Sequence, residues 1–503
     1  MKSKFVWMLA TLLLVCGKPM TAQTAEDTAY VALKDMPDAR VFLPLPPDSS
    51  SLEYMDDMVQ FQWGKTQRNT ARGQQASRES LWTPEIMCSI MSEVLGLNTI
   101  SEAETPALWR LITKTYYTGF LSTTDAKNEY GRKRPFMQMN DPLWAEYDTD
   151  LLLTNGSYPS GHTAFGWATA LVFAEMWPPL QDAILRRGFQ FGESRVIVGA
   201  HYQSDVTAGY LCAAAVVARA HTNPQLERDI LAARAEYARL KGFPAEFDPV
   251  TGVDLPHGED ILNAPVDTTS YRYITDLTRH WDAKKLRETP RGQQAKDEAE
   301  YSLPMMYQVF GQAMEIAISP EATPAICELI GLVFERSSQT ADRLKPLRFR
   351  KRPFVQLGEP SSVPGDEAKE RGKSSFPSGH TNLGWTMALT MAEVAPEHQD
   401  EILRRGYQYG YNRLIVGYHW FTDIEATRQL SSALVARLHA DQSFRQLVEN
   451  ARAEYMKVVG IPTVEYGVRA ITPTSGTYTI DGRLTTADSR GILIQNGKKR
   501  VVK

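Results

Sequence analysis

Apolar residues recur at three- and four-residue spacing through six segments of the first half of the chain. These are Glu79 to Leu95, Pro106 to Leu121, Thr163 to Trp177, Gln181 to Glu193, Ser204 to Ala220 and Pro224 to Lys241. That period gathers the apolar side chains of each segment onto one face and predicts helices of globular length. The corresponding segments of the second half read the same way, and strand signals between them are few. Thr163–Trp177 and Val206–Ala220 are the most apolar, at about fifteen residues each, short of the ~20 that cross a bilayer. They are expected to be core helices of a bundle.

An internal repeat organises these elements. Arg72-Gly73-Gln74-Gln75-Ala76 returns as Arg291-Gly292-Gln293-Gln294-Ala295, an offset of 219. Ile184-Leu185-Arg186-Arg187-Gly188 returns as Ile402-Leu403-Arg404-Arg405-Gly406, and Ala233-Arg234-Ala235-Glu236-Tyr237 as Ala451-Arg452-Ala453-Glu454-Tyr455, both at 218. A one-residue indel between Ala76 and Ser101 accounts for the change. Each unit is a whole domain, longer than a solenoid repeat. The first is expected over 48–265 and the second over 266–468, joined through the Pro-, Gly- and Asp-containing stretch Phe243 to Pro265. A tandem pair of this kind could pack like the subunits of a homodimer.

Composition narrows the picture further. The chain has 503 residues, 43% of them hydrophobic, and a formal net charge of −4. That is enough apolar material for two cores, with no basic surplus for a nucleic-acid surface. Lys2 and Lys4 precede an apolar run, Phe5 to Val15, too short to span a membrane, with small residues around Ala22 and Ala25. Residues 1–22 therefore read as an export signal, leaving no spanning segment after cleavage. Cys16 follows Leu13-Leu14-Val15 in the manner of a lipoprotein signal, although Val15 is larger than the small residue usual there. The remaining cysteines, Cys88, Cys212 and Cys327, are odd in number and irregular in spacing, so they read as buried free thiols rather than a disulfide framework. There is no zinc-type Cys/His spacing and no Gly-rich nucleotide loop.

The candidate chemistry is also duplicated. In the first unit, Lys127 is followed after six residues by Arg134-Pro135, then after 23 by Pro159-Ser160-Gly161-His162, and after 31 by Ser194-Arg195, with His201 and Asp205 beyond. In the second, Lys345, Arg352-Pro353, Pro377-Ser378-Gly379-His380, Asn412-Arg413, His419 and Asp423 keep the same gaps. These residues suit phosphoryl transfer, whose transition state spreads charge over three oxygens and needs fixed cations and N–H donors. Lys127, Arg134 and Arg195 supply cations. Ser160-Gly161 stands just ahead of a helix expected to begin near Thr163, where backbone N–H groups bind anions. His201 and Asp205, four apart on a predicted helix, would share a face, so that the carboxylate fixes the imidazole tautomer and leaves the other nitrogen as nucleophile. His162 could serve as acid and base. No metal or other cofactor is called for. Any one of these motifs alone would read as a turn or a solvated run. Together they take up four of the nine histidines, twice in register, while neighbours have diverged (Tyr130 against Arg348, Gly156 against Ser374).

The pattern Lys-x6-Arg-Pro, Pro-Ser-Gly-His, Ser-Arg-x5-His-x3-Asp resembles the type 2 phosphatidic acid phosphatase superfamily. Gly156-Ser157-Tyr158-Pro159-Ser160-Gly161-His162-Thr163 is similar to the bacterial class A non-specific acid phosphatases within it. The resemblance implies an all-helical bundle with the site at one end, hence an all-α chain of two tandem bundles acting on small phosphomonoesters. It implies His201 as the transient phosphohistidine, Asp205 as its orienting group and His162 as acid/base, with Lys127, Arg134, Ser160, Gly161 and Arg195 around the phosphate. In the second unit the same roles fall to His419, Asp423 and His380, with Lys345, Arg352, Ser378, Gly379 and Arg413. The departures are the duplication itself, Asn412 for Ser, Phe376 for Tyr158 and Ser374 for Gly156, which point to a differently shaped second pocket.

Three other readings share parts of this pattern. A vanadium-dependent haloperoxidase uses the same superfamily site for vanadate. A lipid or diphosphate phosphatase of the superfamily would usually carry spanning helices. An exported binding protein would need only inert phosphate pockets. The tail, 469–503, differs in kind: Thr477 to Lys503 alternates like strands, with Asp481-Gly482 and Asn496-Gly497 as turn signals. It resembles the short C-terminal sorting segments of exported Bacteroidetes proteins, which would carry the chain beyond the inner membrane. A plain hairpin tail is the alternative.

Overall fold

The structure is a computed structural model and describes residues 28–145 and 150–460, together with four strand segments between 477 and 502. The expected export signal, Cys16 and both turn dipeptides of the tail lie outside the described residues. In the first half the principal helices are α1 (Leu52–Gln67), α2 (Ala71–Arg78), α3 (Pro84–Leu95), α4 (Pro106–Leu121), α5 (Thr124–Tyr130), α6 (Pro135–Gln138), α7 (Gly161–Met176), α8 (Gln181–Val198), α9 (Gln203–His221) and α10 (Pro224–Leu240). In the second they are α11 (Tyr273–Lys284), α12 (Pro290–Asp297), α13 (Leu303–Ala313), α14 (Pro324–Leu347), α15 (Pro353–Gln356), α16 (Glu367–Glu370), α17 (Gly379–Val394), α18 (Gln399–Ile415), α19 (Phe421–Ala440) and α20 (Gln442–Val458). Among the described residues the chain is all-α up to Val458. From Val459 onward lies a separate small unit in which β1 (Thr477–Thr479), β2 (Leu484–Thr485), β3 (Gly491–Gln495) and β4 (Lys498–Val502) pair antiparallel in the order β2-β1-β3-β4.

Local chemistry sets the helix boundaries, and two of them differ from the sequence reading in ways that matter. The helix expected from Glu79 starts instead at Pro84, whose missing N–H costs nothing in a first turn. Glu79 is thereby released from the helix and faces inward, 3% exposed. The helix expected to stop at Glu193 runs on to Val198 and ends on Gly199, whose φ of 83° is the left-handed conformation of a helix C-cap. Arg195 therefore sits in the last turn of α8. His201 falls in the turn between α8 and α9, not on a helix with Asp205, and Asp205 is the third residue of α9.

Helix α7 is buried along its whole length and packs against α4, α8 and α9; α17 packs the same way against α14, α18 and α19. The two bundles meet reciprocally: α7 contacts α19, and α9 contacts α17. Reciprocal packing of this kind is the signature of an isologous, two-fold interface. Three pairs of counterpart residues touch each other and mark the axis. His221 stacks on His439 with ring centroids 3.6 Å apart, Arg445 Nε bonds Glu227 at 3.0 Å, and Thr275 bonds Asp56. Glu175 and Glu393 enclose the histidine stack, at 2.9 Å from His221 Nε2 and 3.0 Å from His439 Nε2.

Candidate active sites

In the first bundle, Ser160 caps α7, and its Oγ accepts from the Thr163 N–H at 3.3 Å. The helix thus begins at Gly161, two residues ahead of expectation, and the first N–H groups of α7 are those of Gly161 and His162. Lys127, from α5, lies beside this turn: its Cε is 3.7 Å from where a Cβ on Gly161 would stand, and its Nζ donates to the Gly156 carbonyl at 2.8 Å. Arg134 immediately precedes α6 and is fully buried. Its Nη1 donates to the Ala200 carbonyl at 3.0 Å and reaches His201 Nε2 at 2.9 Å. Arg195 packs its guanidinium over Phe191 at 5.3 Å and donates from Nη2 to the Ala76 carbonyl at 3.1 Å.

These contacts determine the histidine tautomers. A guanidinium can only donate, so His201 Nε2 must accept and is unprotonated. Its Nδ1 lies 3.4 Å from Ser157 Oγ and 3.5 Å from Asp205 Oδ2. Ser157 Oγ itself donates to Asp205 Oδ2 at 2.5 Å, and so does the Tyr202 N–H at 2.9 Å. His162 Nε2 is 3.3 Å from the Ser80 carbonyl, which can only accept. The free nitrogen of His162 is therefore Nδ1, which is buried and without a protein partner. The Nε atoms of Arg134 and Arg195 are likewise buried donors without a partner. Buried donors are normally satisfied, so this group of N–H atoms suits an oxyanion. Burial, reinforced by the charge of Arg134, holds His201 well below the ordinary imidazole range; burial and Arg195 do the same to His162. Burial brings Arg134 and Arg195 down to about 10, so both remain cations. Burial would raise Asp205, but the Arg132 charge and the bonds from His201 and Ser157 outweigh it and keep the carboxylate ionised.

The second bundle repeats this construction with a more open mouth. Arg352 Nη1 donates to the Tyr418 carbonyl at 3.1 Å and reaches His419 Nε2 at 3.0 Å. His419 Nδ1 is 2.5 Å from the Ser375 carbonyl rather than from Asp423. Ser375 Oγ and the Trp420 N–H hold Asp423 at 2.5 and 3.0 Å. Ser378 caps α17. His380 Nε2 meets the Ala299 carbonyl at 3.0 Å. Arg413 stands over Tyr418 at 4.8 Å with Nε and Nη1 buried and without partners. Lys345 pairs with Asp342 at 2.8 Å. A cavity of about 900 Å³ is lined by Lys345, Arg352, Gly379, His380, Arg413 and His419. Gly379 and His380 are half-buried, whereas Gly161 and His162 are buried. The Asn412 departure conserves its contact: Ser194 Oγ donates to Glu79 at 2.6 Å, and Asn412 Nδ2 donates to the counterpart Glu298 at 2.7 Å.

Several residues that hold these sites were not picked out from the sequence. Arg132 donates to Asp205 at 2.6 Å and to Asp57 at 2.7 Å. Arg350 joins Asp423, at 2.6 Å, to Asp276. Arg132 had the look of a solvated run, Arg-Lys-Arg-Pro. The available signal was the repeat: Asp57 and Asp276, Ser157 and Ser375, Glu79 and Glu298, Arg132 and Arg350 are identical pairs at offset 218 or 219. Among the described residues, the carboxylate–imidazole groups that could ligate a metal are Glu175, His221 and His439, and Asp182, His257 and Asp260. Neither includes a residue of the two sites.

The PAP2 superfamily matches the chain twice, over residues 107–228 and 326–446, and each match contains one complete set of the candidate residues. A non-specific acid phosphatase of Providencia stuartii is 39% identical over 219 residues, 43% of this chain and 88% of its own length. The chain belongs to the PAP2 superfamily. A non-specific acid phosphatase of Salmonella typhimurium is 34% identical over 238 residues, 47% of this chain and 93% of its own. An acid phosphatase of Zymomonas mobilis is 36% identical over 211 residues, 41% of this chain and 77% of its own. Each relative thus matches the length of a single repeat, and this PAP2 chain carries two. No helix among the described residues is long and apolar enough to cross a membrane.

Proposed function

We propose that this chain is an exported acid phosphatase that hydrolyses phosphomonoesters through a phosphohistidine, with one such site in each repeat. The observation that carries the reading is the Arg134–His201 contact, matched by Arg352–His419. A cation that only donates keeps Nε2 unprotonated, and burial keeps the ring neutral, so the nucleophile survives at acid pH. In the first site the Nε2 lone pair attacks phosphorus, and the P–N bond forms as the ester P–O bond breaks. The charge spread over the phosphoryl oxygens is met by Arg134, Arg195, Lys127 and the N–H groups at the start of α7. His162 is neutral in the free site. A bound phosphate dianion raises its pKa, so it takes up a proton on Nδ1 and donates it to the leaving oxygen. Water then attacks phosphorus, its proton passes to His162 Nδ1, and the P–N bond breaks to release phosphate. Asp205 orients His201 and stabilises positive charge on it, through Ser157 and the turn backbone.

Acid-quenched turnover of ³²P-labelled phosphomonoester, followed by peptide mapping, is expected to place label on His201 and His419. His201→Ala with His419→Ala should abolish turnover, while either change alone leaves part of it. Full hydrolysis by the double variant would refute the assignment. Vanadate-dependent halide oxidation without hydrolysis would replace it with a haloperoxidase. Export, read from residues 1–22, is tested by fractionating cells that express the full chain.

A further inference from the structure

The two sites differ in what meets the second terminal nitrogen of the arginine beside the nucleophile. Arg134 Nη2 donates to neutral acceptors, Asn155 Oδ1 at 2.5 Å and the Gly156 carbonyl at 3.2 Å. Arg352 Nη2 donates to a carboxylate, Glu370 Oε2, at 2.8 Å. The other oxygen of Glu370 takes Lys373 Nζ at 2.7 Å. At offset 218, Glu370 stands where the first repeat has Leu152, and Lys373 stands where it has Asn155. Where the first repeat has an apolar residue and an amide, the second therefore has an ion pair, with the anion aimed at the phosphate site.

Glu370 ends α16 and lines the same cavity as Arg352, Lys345, Arg413 and both histidines. Burial would raise its pKa, but the Lys373 bond and the charges of Arg352, Lys373 and Lys345 bring it down, so the group is an anion. Its side chain is 19% exposed, enough for it to swing out toward the mouth. Arg352 Nε is buried and without a partner, so a phosphoryl group that reaches His419 finds that donor free but completes the bidentate Nε–Nη2 fork only by taking Nη2 from this carboxylate. A monoester dianion carries more charge than one carboxylate and can do so; a diester monoanion carries the same charge and gains little by the exchange.

We propose that Glu370 is the specificity-determining residue of the second site, an internal anion on Arg352 that admits dianionic phosphomonoesters and turns away singly charged oxyanions. This rests on the reading of both sites as phosphate sites, and the test separates the two ideas. Isothermal titration of the full chain at pH 7 with inorganic phosphate, and separately with dimethyl phosphate, compares wild type with Glu370→Gln. Two phosphate sites of unequal affinity are expected. The substitution should tighten the weaker one about tenfold and leave the stronger unmoved, and dimethyl phosphate should bind detectably only to the variant. Glu370→Leu, which restores the type of residue found in the first repeat, is read in the same way should the glutamine variant fold poorly. Two phosphate sites with the weaker one unmoved or loosened by both substitutions would overturn the role of Glu370 alone. A single phosphate site in all proteins would overturn the two-site reading and this inference with it.

Discussion

Arg132 holds two carboxylates on one guanidinium, Asp205 at 2.6 Å and Asp57 at 2.7 Å, and none of the three is more than 8% exposed in its side chain. Buried charges of this kind are tolerable only while paired. Arg132→Ala would leave two anions in a poorly solvated place, so unfolding stability in urea should drop by about 3–5 kcal/mol. The residues proposed to hold phosphate were legible because their chemistry is specific: Lys, Arg, His and a Ser-Gly turn at fixed gaps. Arg132 and Asp57 act one step back, through Asp205, and their residue types are also the commonest on any surface. Only the burial of the turn before α9 distinguishes them. The same limit explains His201. Its spacing from Asp205 fits a helix face, yet a carboxylate at the third position of a helix bonds the N–H of the capping residue, a geometry that spacing alone does not reveal.

At the scale of elements, apolar periodicity located six of the seven long helices of the first repeat, since each of the six has a side that must be buried. It missed α1, α2 and α5, which are short or polar and are held by caps and neighbours instead. It also misplaced the ends of α3 and α8, where a proline and a left-handed glycine decide the boundary. Close approach between elements was equally hidden. α9 crosses the start of α7 at Gly209, where a Cβ would come within 2.7 Å of the Ser160 carbonyl and of Thr163 Cβ. The second repeat has Thr427 at this position, and its hydroxyl accepts the Ser378 N–H at 3.0 Å. In the first repeat the Ser160 N–H goes instead to the Asp205 carbonyl at 2.9 Å. Gly209→Thr should therefore push α9 away from the Ser160-Gly161 turn. The expected outcome is a loss of about 1–3 kcal/mol in denaturation, together with reduced kcat/KM in a His419→Ala background, where only the first site reports.

Across the whole molecule, the bundles are fastened at a histidine stack between two glutamates. Burial would lower the His221 pKa, but Glu175 and Glu393 raise it to about 10. An unfolded histidine titrates near 6.5. The protonated form is thus favoured by folding: its stabilisation is complete below about pH 6.5 and is lost as pH rises through about 10. Tm measured by scanning calorimetry should fall across that window, and His221→Gln should flatten the fall. A Tm that holds steady in wild type between these limits would show that the ring is not charged in the interface. The repeat itself was plain from the sequence, but the identity of this fastening was not. His221 and His439 match no motif, and only the axis brings them together.

That axis has a consequence for how the chain can change. A residue on the two-fold axis of a homodimer faces a copy of itself, so one gene cannot place opposite charges there. Asp56 would look at aspartate, and Glu227 at glutamate. Joining the copies in tandem lifts this constraint: Thr275 now answers Asp56, and Arg445 answers Glu227. Each such exchange strengthens the union of unlike halves while making either half a poorer mate for its own kind. The His221–His439 stack between Glu175 and Glu393 still pairs like with like, whereas Asp56–Thr275 and Glu227–Arg445 pair unlike residues that only two separately encoded halves can supply.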